Sequence, residues 1–588
     1  MIKQSLPDKS GKKYVLGIHV GHDSSAAIVL DGKIIAAVTE ERFTGLKHYS
    51  YLPLRALEFC LKFAGIGIED VSEVVIPSIA RQQDLEVLLG IIDKGTVGRL
   101  STDSRLNAKD LIRLFLVEVS RRLNIWTPIV PPAYVKTYHY PRTKSVIQIE
   151  HHLAHAASAY YTSGFNEKTL VVTADGSGDG LSTTIWIGEK GKLTPRLKVG
   201  REGSLGAFYG LVTEALGWWV GDGEGKTMGL APYGSTKKTR GILDSFLPKY
   251  EKNKLVRGYN WGFPGIWQDL GGAHFHFSDT PKVQKLIKKY GAENVAAEAQ
   301  RVLEEQLVNF IEYWIKKEDI QYLAAAGGVF LNVKANQRIW ELGLLKDYHV
   351  YPDAGDGGIS AGAALFGYFK DSAETIPELS NVYFGPEFTN QEIEEVLKVR
   401  QIGYKYLNNK ELIKKTAELL SENKIIGWFQ GRMEAGPRAL GNRSILMDPR
   451  KSKNKDIINS RVKYREPFRP FCPSTIDKAA GKYFKNLPPN PAYMIISADV
   501  YEDEQRNIPS VTHVDGTARP QVLKRKDNPL FYDLIEQFGN VTGVPVLLNT
   551  SFNIRGKPVV VSPEEAVQCF YNTGLDHLVL GNFLISKK

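Results

Sequence analysis

His151 and His155 sit one helical turn apart in the alanine-rich stretch IEHHLAHAASAYY. Residues i and i+4 share a helix face, so the two imidazoles can meet a single ion while His152 points elsewhere. Such a pair suits a divalent transition metal; the packing of two core histidines gives the same spacing. Asp175, in VVTADGSGDG, follows a predicted strand at 170–173, and Asp356, in YPDAGDGGISAGAAL, precedes a helix of small residues. Both stand beside glycines at strand or loop ends, where a carboxylate can reach a ligand and backbone N–H groups can approach phosphate. The competing assignment for each is a helix N-cap or a turn residue.

A second set of residues is cationic. GWFQGRMEAGPRALGNRSILMDPR carries Arg432, Arg438 and Arg443 among glycines, and NSRVKYREPFRPFCPS puts Arg461, Lys463, Arg465 and Arg469 into nine residues. Arg519 follows in DGTARPQ, then Asn549, Ser551, Asn553 and Arg555 in LLNTSFNIRGKP after a β-run. Guanidinium groups bind phosphate and carboxylate oxygens through paired N–H groups, and Asn and Ser add neutral donors. A solvated face would interleave glutamate, which is sparse here. The density of arginine therefore predicts an anion pocket rather than an ordinary surface.

His22, in GHDSS, occupies a turn between two predicted strands. A histidine there can reach a bound alcohol, and a pKa near neutrality suits proton removal. The alternative is a structural turn histidine bonded to the backbone. Two glycine-spaced segments, 324–336 (AAAGGVFLNVKAN) and 224–234 (EGKTMGLAPYG), let the backbone come close to a ligand. Neither is a P-loop, since GxxxxGK[ST] does not occur.

The elements that must position these groups follow an α/β pattern. Residues 14–20, 25–30 and 33–38 are β-type runs, with Asp31-Gly32 as a hairpin turn between the last two. An amphipathic helix spans 54–64. Strand-like and helical stretches then alternate, at 204–216, 292–316, 322–326 and 359–369. Residues 371–393, polar with Pro377 and Pro386, read as an interdomain connection. A helix at 411–422, a strand at 424–429 and a second α/β set ending near 584 come after it. No internal repeat is visible.

The chain has 588 residues, 43% of them hydrophobic, which predicts two large domains, with three as the alternative. A net charge of +10 favours anionic ligands. The charge is diffuse, and the clusters at 237–240 and 524–526 are too short for a nucleic-acid arm. Cys60, Cys472 and Cys569 are far apart, which argues against a cysteine zinc site and predicts reduced thiols. The chain opens polar and lysine-rich, and no apolar run approaches ~18 residues. A soluble cytoplasmic protein is expected, with neither membrane nor nucleic acid as partner.

Taken together, GHDSSAAIVLDGKIIAAVTEERFT, HHLAHAASA, EGKTMGLAPYG, GGVFLNVKAN, GRMEAGPRALGNRSILMDPR, REPFRPFCPS and VPVLLNTSFNIRG resemble the NodU/CmcH family of O-carbamoyltransferases over nearly the whole chain. The resemblance implies an N-terminal domain, 1–375, of actin/hexokinase-type ATPase fold (TsaD-like), and a C-terminal YrdC-like α/β domain, 376–588. It implies that the second domain makes carbamoyl-adenylate from carbamoyl phosphate and ATP, with Mg(II) accompanying the nucleotide. The intermediate would pass internally to the first domain, where the carbamoyl group goes to a hydroxyl of a small natural product, as in antibiotic biosynthesis. Carried over by motif, the metal ligands are His151, His155, Asp175 and Asp356, the expected metal is Fe(II), and His22 is the general base. Lys463-Tyr464-Arg465 fits a K-x-R element and Ser551-Phe552-Asn553 an S-x-N element, with Arg469, Arg519 and Asn549 as further ligands. Gly328, Asn332 and Glu224 would flank the adenylate in the transfer domain. Residues 86–145 are longer than the family pattern, with a basic amphipathic helix at 107–123 and a proline-rich stretch at 128–141. They are expected to be a surface elaboration, a homodimer contact or an acceptor-binding lid.

Three other readings compete. A tRNA-modifying carbamoyl-group enzyme would concentrate its basic surface. A hydrogenase-maturation carbamoyltransferase would carry cysteine zinc motifs and an acylphosphatase module, neither of which is present. A non-catalytic nucleotide-binding protein would have no need of intact metal ligands.

Overall fold

The computed structural model describes residues 11–78, 135–138, 145–251, 254–259, 265–269, 272–372 and 375–587. β1 (Tyr14–His19), β2 (Ser25–Leu30) and β3 (Lys33–Thr39) form the expected antiparallel meander. Asp31 at φ 46° and Gly32 at φ 76° close its second turn, the left-handed pair a tight hairpin requires. β4 (Glu73–Pro77) pairs parallel with β1, β6 (Val146–Ile149) pairs parallel with β4, and β5 (Val135–Tyr138) takes the edge.

A second sheet repeats this order. β7 (Thr169–Gly178), β8 (Leu181–Glu189) and β9 (Lys192–Gly200) make an antiparallel meander, and β10 (Tyr322–Ala326) and β11 (Asp347–Val350) add in parallel beside β7. Each sheet is thus three meandering strands followed by two parallel ones on the far side of the first strand. This duplicated order is the actin/hexokinase-type arrangement, and it bears out the fold class expected for the N-terminal part. The repeat is one of strand order and sense, not of residues.

Two helices fill the space between the sheets. α1 (His151–Tyr160) lies on β7 and β10, while α3 (Ile359–Phe369) lies on β1, β2 and β4 and against α1. Both are rich in small residues, alanine in α1 and alanine with glycine in α3, because their backbones nearly touch. A Cβ on Gly362 would stand 2.0 Å from the Ala154 carbonyl oxygen, and one on Gly17 would stand 1.9 Å from that of Ser360. α2 (Glu224–Leu230) belongs to the outer layer beside the long helix Ala292–Glu318.

The C-terminal part holds an eight-stranded mixed sheet. Its strands are β12 (Lys405–Tyr406), β13 (Ile426–Phe429), β14 (Arg443–Met447), β15 (Cys472–Ile476), β16 (Gln521–Leu523), β17 (Val546–Ser551), β18 (His577–Leu580) and β19 (Phe583–Ser586). They are arranged β12-β19-β18-β13-β14-β17-β15-β16. Asn409–Ser421 and Pro529–Thr542 cover one face, and Pro563–Tyr571 packs into the core on the other.

Residues 371–393 are not the loose connection their polarity suggests. Ile376, Leu379, Val382 and Phe384 are buried. The Phe384 carbonyl accepts from Ala37 N–H at 3.3 Å and that of Val382 from Ala435 N–H at 2.7 Å, so the strap is stitched to both parts. The helix Asn390–Val399, capped by Thr389, begins inside it. The expected helix at 107–123 and, apart from Val135–Tyr138, the proline-rich stretch lie outside the described residues. No helix among the described residues is long and apolar enough to cross a membrane.

Candidate functional site

The four expected metal ligands converge. Glu150 caps α1, its carboxylate accepting from His152 N–H at 2.6 Å and Leu153 N–H at 2.9 Å, which fixes the register of the histidines. His151 Nε2 and His155 Nε2 lie 3.1 Å apart. Asp175 Oδ2 is 3.4 Å from His151 Nε2, and Asp356 Oδ1 is 3.4 Å from His151 and 3.5 Å from His155. Asp175 sits where β7 leaves register after Ala174, and Gly328 N–H holds its other oxygen at 3.0 Å. Gly178 makes room for the His151 ring, since a Cβ there would lie 2.0 Å from it. Donors bonded at about 2.1 Å to one ion stand about 3.0–3.4 Å apart, so this set fits a divalent first-row metal. Burial opposes charge on His151, yet Asp356 and Asp175 together raise its pKa well above the usual value. His152 faces away, its Nδ1 2.7 Å from Thr173 Oγ1, as the helix geometry requires.

A second titratable group surrounds His22 in the β1–β2 turn. Asp23, in left-handed backbone at φ 58°, bridges two imidazoles: His22 Nδ1 is 2.9 Å from Oδ2 and His48 Nδ1 2.9 Å from Oδ1. His48 is also left-handed, at φ 55°, and its ring stacks on that of His22 at 4.8 Å. His48 Nε2 lies 3.6 Å from Asp222 Oδ1, which Lys47 Nζ contacts at 2.8 Å. Burial resists charge at both histidines, and Asp23 overcomes it: His22 is raised, and His48 is pushed up to about 10. Burial likewise resists charge on Asp23, but the two imidazoles hold its carboxyl far below the usual range. Asp356 contributes to raising His22, which ties the turn electrostatically to the metal ligands. Nothing in the sequence flags His48 or Asp222: each is a lone residue, and they are brought together from distant parts of the chain.

The residues expected around an adenylate are placed less openly. Gly328 lies against Asp175, where a Cβ would come within 2.8 Å of its Oδ1. Asn332 caps the helix Val333–Trp340 through Ala335 N–H at 3.1 Å and exchanges amide hydrogen bonds with Gln300 at 2.9 and 3.0 Å. Glu224 accepts from Gly221 N–H at 2.9 Å, and burial raises its pKa. These two side chains spend their polar atoms shaping the loops of the site.

On the C-terminal part the two short motifs meet. Lys463 Nζ donates to Ser551 O (2.7 Å), Asn553 O (3.0 Å) and Asn553 Oδ1 (2.6 Å), with Ser551 Oγ at 3.2 Å. Tyr464 turns left-handed at φ 45°, and Arg465 then donates to Asn459 Oδ1 at 2.9 Å and stacks on Phe471 at 4.5 Å. Arg519 points Nε and Nη2 at Cys472 Sγ, 3.1 and 2.8 Å away. Asn549, paired across the sheet with Cys472, donates to Ser474 Oγ at 3.0 Å. Arg438 joins them; its buried Nε has no hydrogen-bond partner among the described residues. Burial first, and then the neighbouring guanidinium groups, push Arg438 and Arg465 down to about 9. Arg469 is lowered in the same way, with Glu466 3.8 Å away as its local counter-charge. So concentrated a positive field is what an oxyanion ligand would neutralise.

Three arginines of the expected pocket serve elsewhere, and Arg555 stays at its rim, 3.7 Å from Glu466. Arg443 is fully buried and donates to the carbonyls of Gln430 (2.6 Å), Asn442 (3.0 Å), Pro386 (3.1 Å) and Gly431 (3.1 Å). Arg432 ties Ile35 O at 2.9 Å and Phe384 O at 2.6 Å, joining the two parts of the chain. Arg461 pairs with Asp576 at 3.0 Å, and the exposed Arg555 donates to Tyr464 O at 3.2 Å. Guanidinium donors satisfy main-chain carbonyls as readily as phosphate, and composition alone does not separate the two uses.

The two groups of residues look toward one another. Trp218 and Tyr233 meet Phe468 at ring distances of 5.9 and 6.5 Å, and a Cβ on Gly229 would lie 3.5 Å from Pro470. Lys226 on α2 feels Glu466, Arg469 and Arg555 across this junction, though burial is the largest cause of its lowered pKa.

The chain thus sets a group of four potential metal donors and a buried cationic pocket on a core of duplicated sheets. The family comparison makes this specific. Residues 14–365 match the model described as carbamoyltransferase N-terminus and residues 417–587 that described as carbamoyltransferase C-terminus, so the chain belongs to the carbamoyltransferase family and is an enzyme of that class. It is 34% identical to nodulation protein NolNO of Sinorhizobium fredii, over 96% of this chain and 79% of that protein. It is 36% identical to an uncharacterized protein of Synechocystis, over 98% and 97% of the two chains. Among solved structures it is similar to component A of (R)-2-hydroxyglutaryl-CoA dehydratase from Acidaminococcus fermentans, at 16% identity and a TM-score of 0.34, over 62% of this chain and all of that one.

Proposed function

We propose that the chain is an ATP-dependent O-carbamoyltransferase with two chemical stations. In the C-terminal part, taken as residues 376–588 and YrdC-like, carbamoyl phosphate and ATP become carbamoyl-adenylate, with phosphate and pyrophosphate as products. Lys463, Arg465, Arg469 and Arg519 neutralise the phosphoryl oxygens there; Ser551 and Asn553 hold Lys463 in place, and Asn549 lies across the sheet from Cys472 as a neutral donor. Arg438, with its buried Nε, belongs to the same set. The intermediate then moves to the N-terminal part, residues 1–375, where the carbamoyl group passes to a hydroxyl of a small natural product and AMP leaves. Gly328, Asn332 and Glu224 shape the adenylate seat, and His22 takes the acceptor's proton.

The single observation that carries the reading is the convergence of His151, His155, Asp175 and Asp356 within 4.8 Å of one another, electrostatically joined to His22. These four residues would hold a divalent metal, Fe(II) on this reading, which when bound polarises the carbonyl and balances charge on the adenylate phosphate. Mg(II) accompanies ATP in the other station. The enzyme works in the cytoplasm, with a small-molecule hydroxyl acceptor and a second copy of the chain as its partners.

The test is incubation with carbamoyl phosphate, ATP, Mg(II) and a panel of hydroxylated metabolites, with bulk tRNA alongside. A carbamoyl mass increment on a small alcohol, with stoichiometric AMP and pyrophosphate, is the expected result. Modification of tRNA alone, or no ATP–pyrophosphate exchange with carbamoyl phosphate present, would contradict it.

A further inference from the structure

The groups behind His22 form a directed chain that the proposed reaction has not yet used. We propose that Asp23 is a positioning residue that fixes the tautomer of His22, and that His48 anchors Asp23 from its other side. An ionised carboxylate only accepts hydrogen bonds. With one oxygen 2.9 Å from each Nδ1, Asp23 requires both Nδ1 atoms to carry their protons. A neutral His22 then has its lone pair on Nε2, the nitrogen directed toward Gly221.

The surroundings hold this arrangement rigidly. Asp23 and His48 both adopt left-handed backbone, at φ 58° and 55°, a conformation that disfavours residues other than glycine, Asn and Asp. Ser24 N–H donates to Tyr49 O at 2.9 Å and His48 N–H to Glu41 Oε2 at 3.1 Å, so the two loops are clasped on each other. His19 Nε2 lies 2.9 Å from the His22 carbonyl oxygen. A Cβ on Gly221 would stand 3.2 Å from His22 Nε2, so the glycine lets this loop pack closely against that nitrogen.

The groups that set the charge can be named. Asp23, His48 and Asp356 act on His22. Asp23, Asp222 and Glu41 act on His48, with Lys47 behind Asp222 and Glu224 within range of His48. Asp23 strengthens His22 as a base, and the His48 cation moderates it.

The inference rests on the reading that His22 takes the acceptor proton. In that step the acceptor oxygen bonds to the carbamoyl carbon, and the bond from that carbon to the AMP phosphate oxygen breaks. The electron pair leaves with AMP, and the hydroxyl proton goes to His22 Nε2 and later to water. A histidine in the other tautomer would present N–H to the acceptor and could not accept the proton.

Two measurements on the full-length enzyme test this. Two-bond proton–nitrogen correlation spectra of histidine-labelled protein read the tautomer without any turnover; His22 is expected as Nδ1–H above its pKa. Single-turnover transfer from preformed carbamoyl-adenylate is then compared across pH for His22→Asn, Asp23→Asn, Asp23→Glu and His48→Gln. ATP–pyrophosphate exchange and metal content report whether each variant is folded. Asp23→Asn should lose on the order of 100-fold or more in transfer, with the acidic limb moved to lower pH. Asp23→Glu should recover part of the rate. His48→Gln should move the limb upward, because a positive neighbour is gone. An Nε2–H tautomer in the wild type overturns the inference, as does full transfer by Asp23→Asn while His22→Asn is inactive; the second result leaves the base assignment standing. Normal transfer by His22→Asn overturns both.

Discussion

At the residue scale the two proposed chemical stations can be separated by substitution. His155→Ala should abolish transfer and release most of the bound metal, because one of four donors is lost from a compact set. ATP–pyrophosphate exchange should continue, since Lys463 and the arginines are untouched. Loss of exchange in a folded variant would show that the metal group also serves adenylation. His48 adds a pH signature in stability. Its pKa is raised from 6.5 to about 10 in the folded chain, so its stabilising contribution is fully present below 6.5 and is lost as pH rises through about 10. Denaturant midpoints of wild type and His48→Gln should therefore differ near neutrality and converge at alkaline pH; a constant gap across that range would mean that charge is not what His48 contributes. His151 and His155 were legible in the sequence because helix period alone puts them on one face. Asp175 and Asp356 were legible because glycine-flanked strand ends expose carboxylates. His48 and Asp222 were not, since their partners are set by tertiary folding. Arg432 and Arg443 misled for a related reason: burial, invisible in the sequence, turned them into clamps on carbonyl groups.

At the element scale the metal donors depend on how closely α1 and α3 approach. α1 carries His151 and His155, and Asp356 lies just ahead of α3. The contact is backbone on backbone at Gly362, where a Cβ would meet the Ala154 carbonyl oxygen at 2.0 Å. Gly362→Ala must push the helices apart, at a cost of about 1–3 kcal/mol for an overpacked core. Because the donors ride on those helices, metal affinity should fall by roughly tenfold or more, read by titration of the apo protein. Gly481→Ala is the control: it lies in the helix Asp477–Tyr483 with nothing within 4 Å, and should be neutral or slightly stabilising. Equal metal affinity in the two variants would refute the coupling. The individual strands and helices were readable because each carries its own period. The twofold repetition of the sheets was not, because burial accepts any apolar residue and leaves no identity to align. The strap at 371–393 connects the two parts as its polarity suggests, but its packing was not readable because its buried side chains are spaced too irregularly to show a period.

At the scale of the whole molecule the question is whether the stations exchange their intermediate through the protein or through water. The apolar core runs across both parts: Tyr493 and Met494 pack with residues of β1, β2 and α1, and Ile495 and Ile496 pack with those of β7 and β10. Arg432 and the strap add polar ties, so the parts have little freedom to swing apart. The cationic pocket faces the segment that carries Trp218, Asp222 and Lys226, and Asp222 belongs to the chain leading to His22. A carbamoyl-adenylate released to solvent would hydrolyse, whereas a passage along this junction would spare it. Mixing two variants distinguishes the routes. Arg519→Ala should fail to form the intermediate yet transfer a preformed one, and His155→Ala should form it without transferring. If the intermediate stays inside one molecule, equimolar mixing of the two should restore no carbamoylated product, while ATP consumption by His155→Ala continues. Adding preformed carbamoyl-adenylate to the same mixture should restore product at the Arg519→Ala rate. Product from the mixture alone, rising with protein concentration and quenched by a trap that destroys free adenylate, would show that the intermediate travels through water. Product that resists the trap would show that Arg519→Ala and His155→Ala protomers meet in one assembly whose stations serve each other.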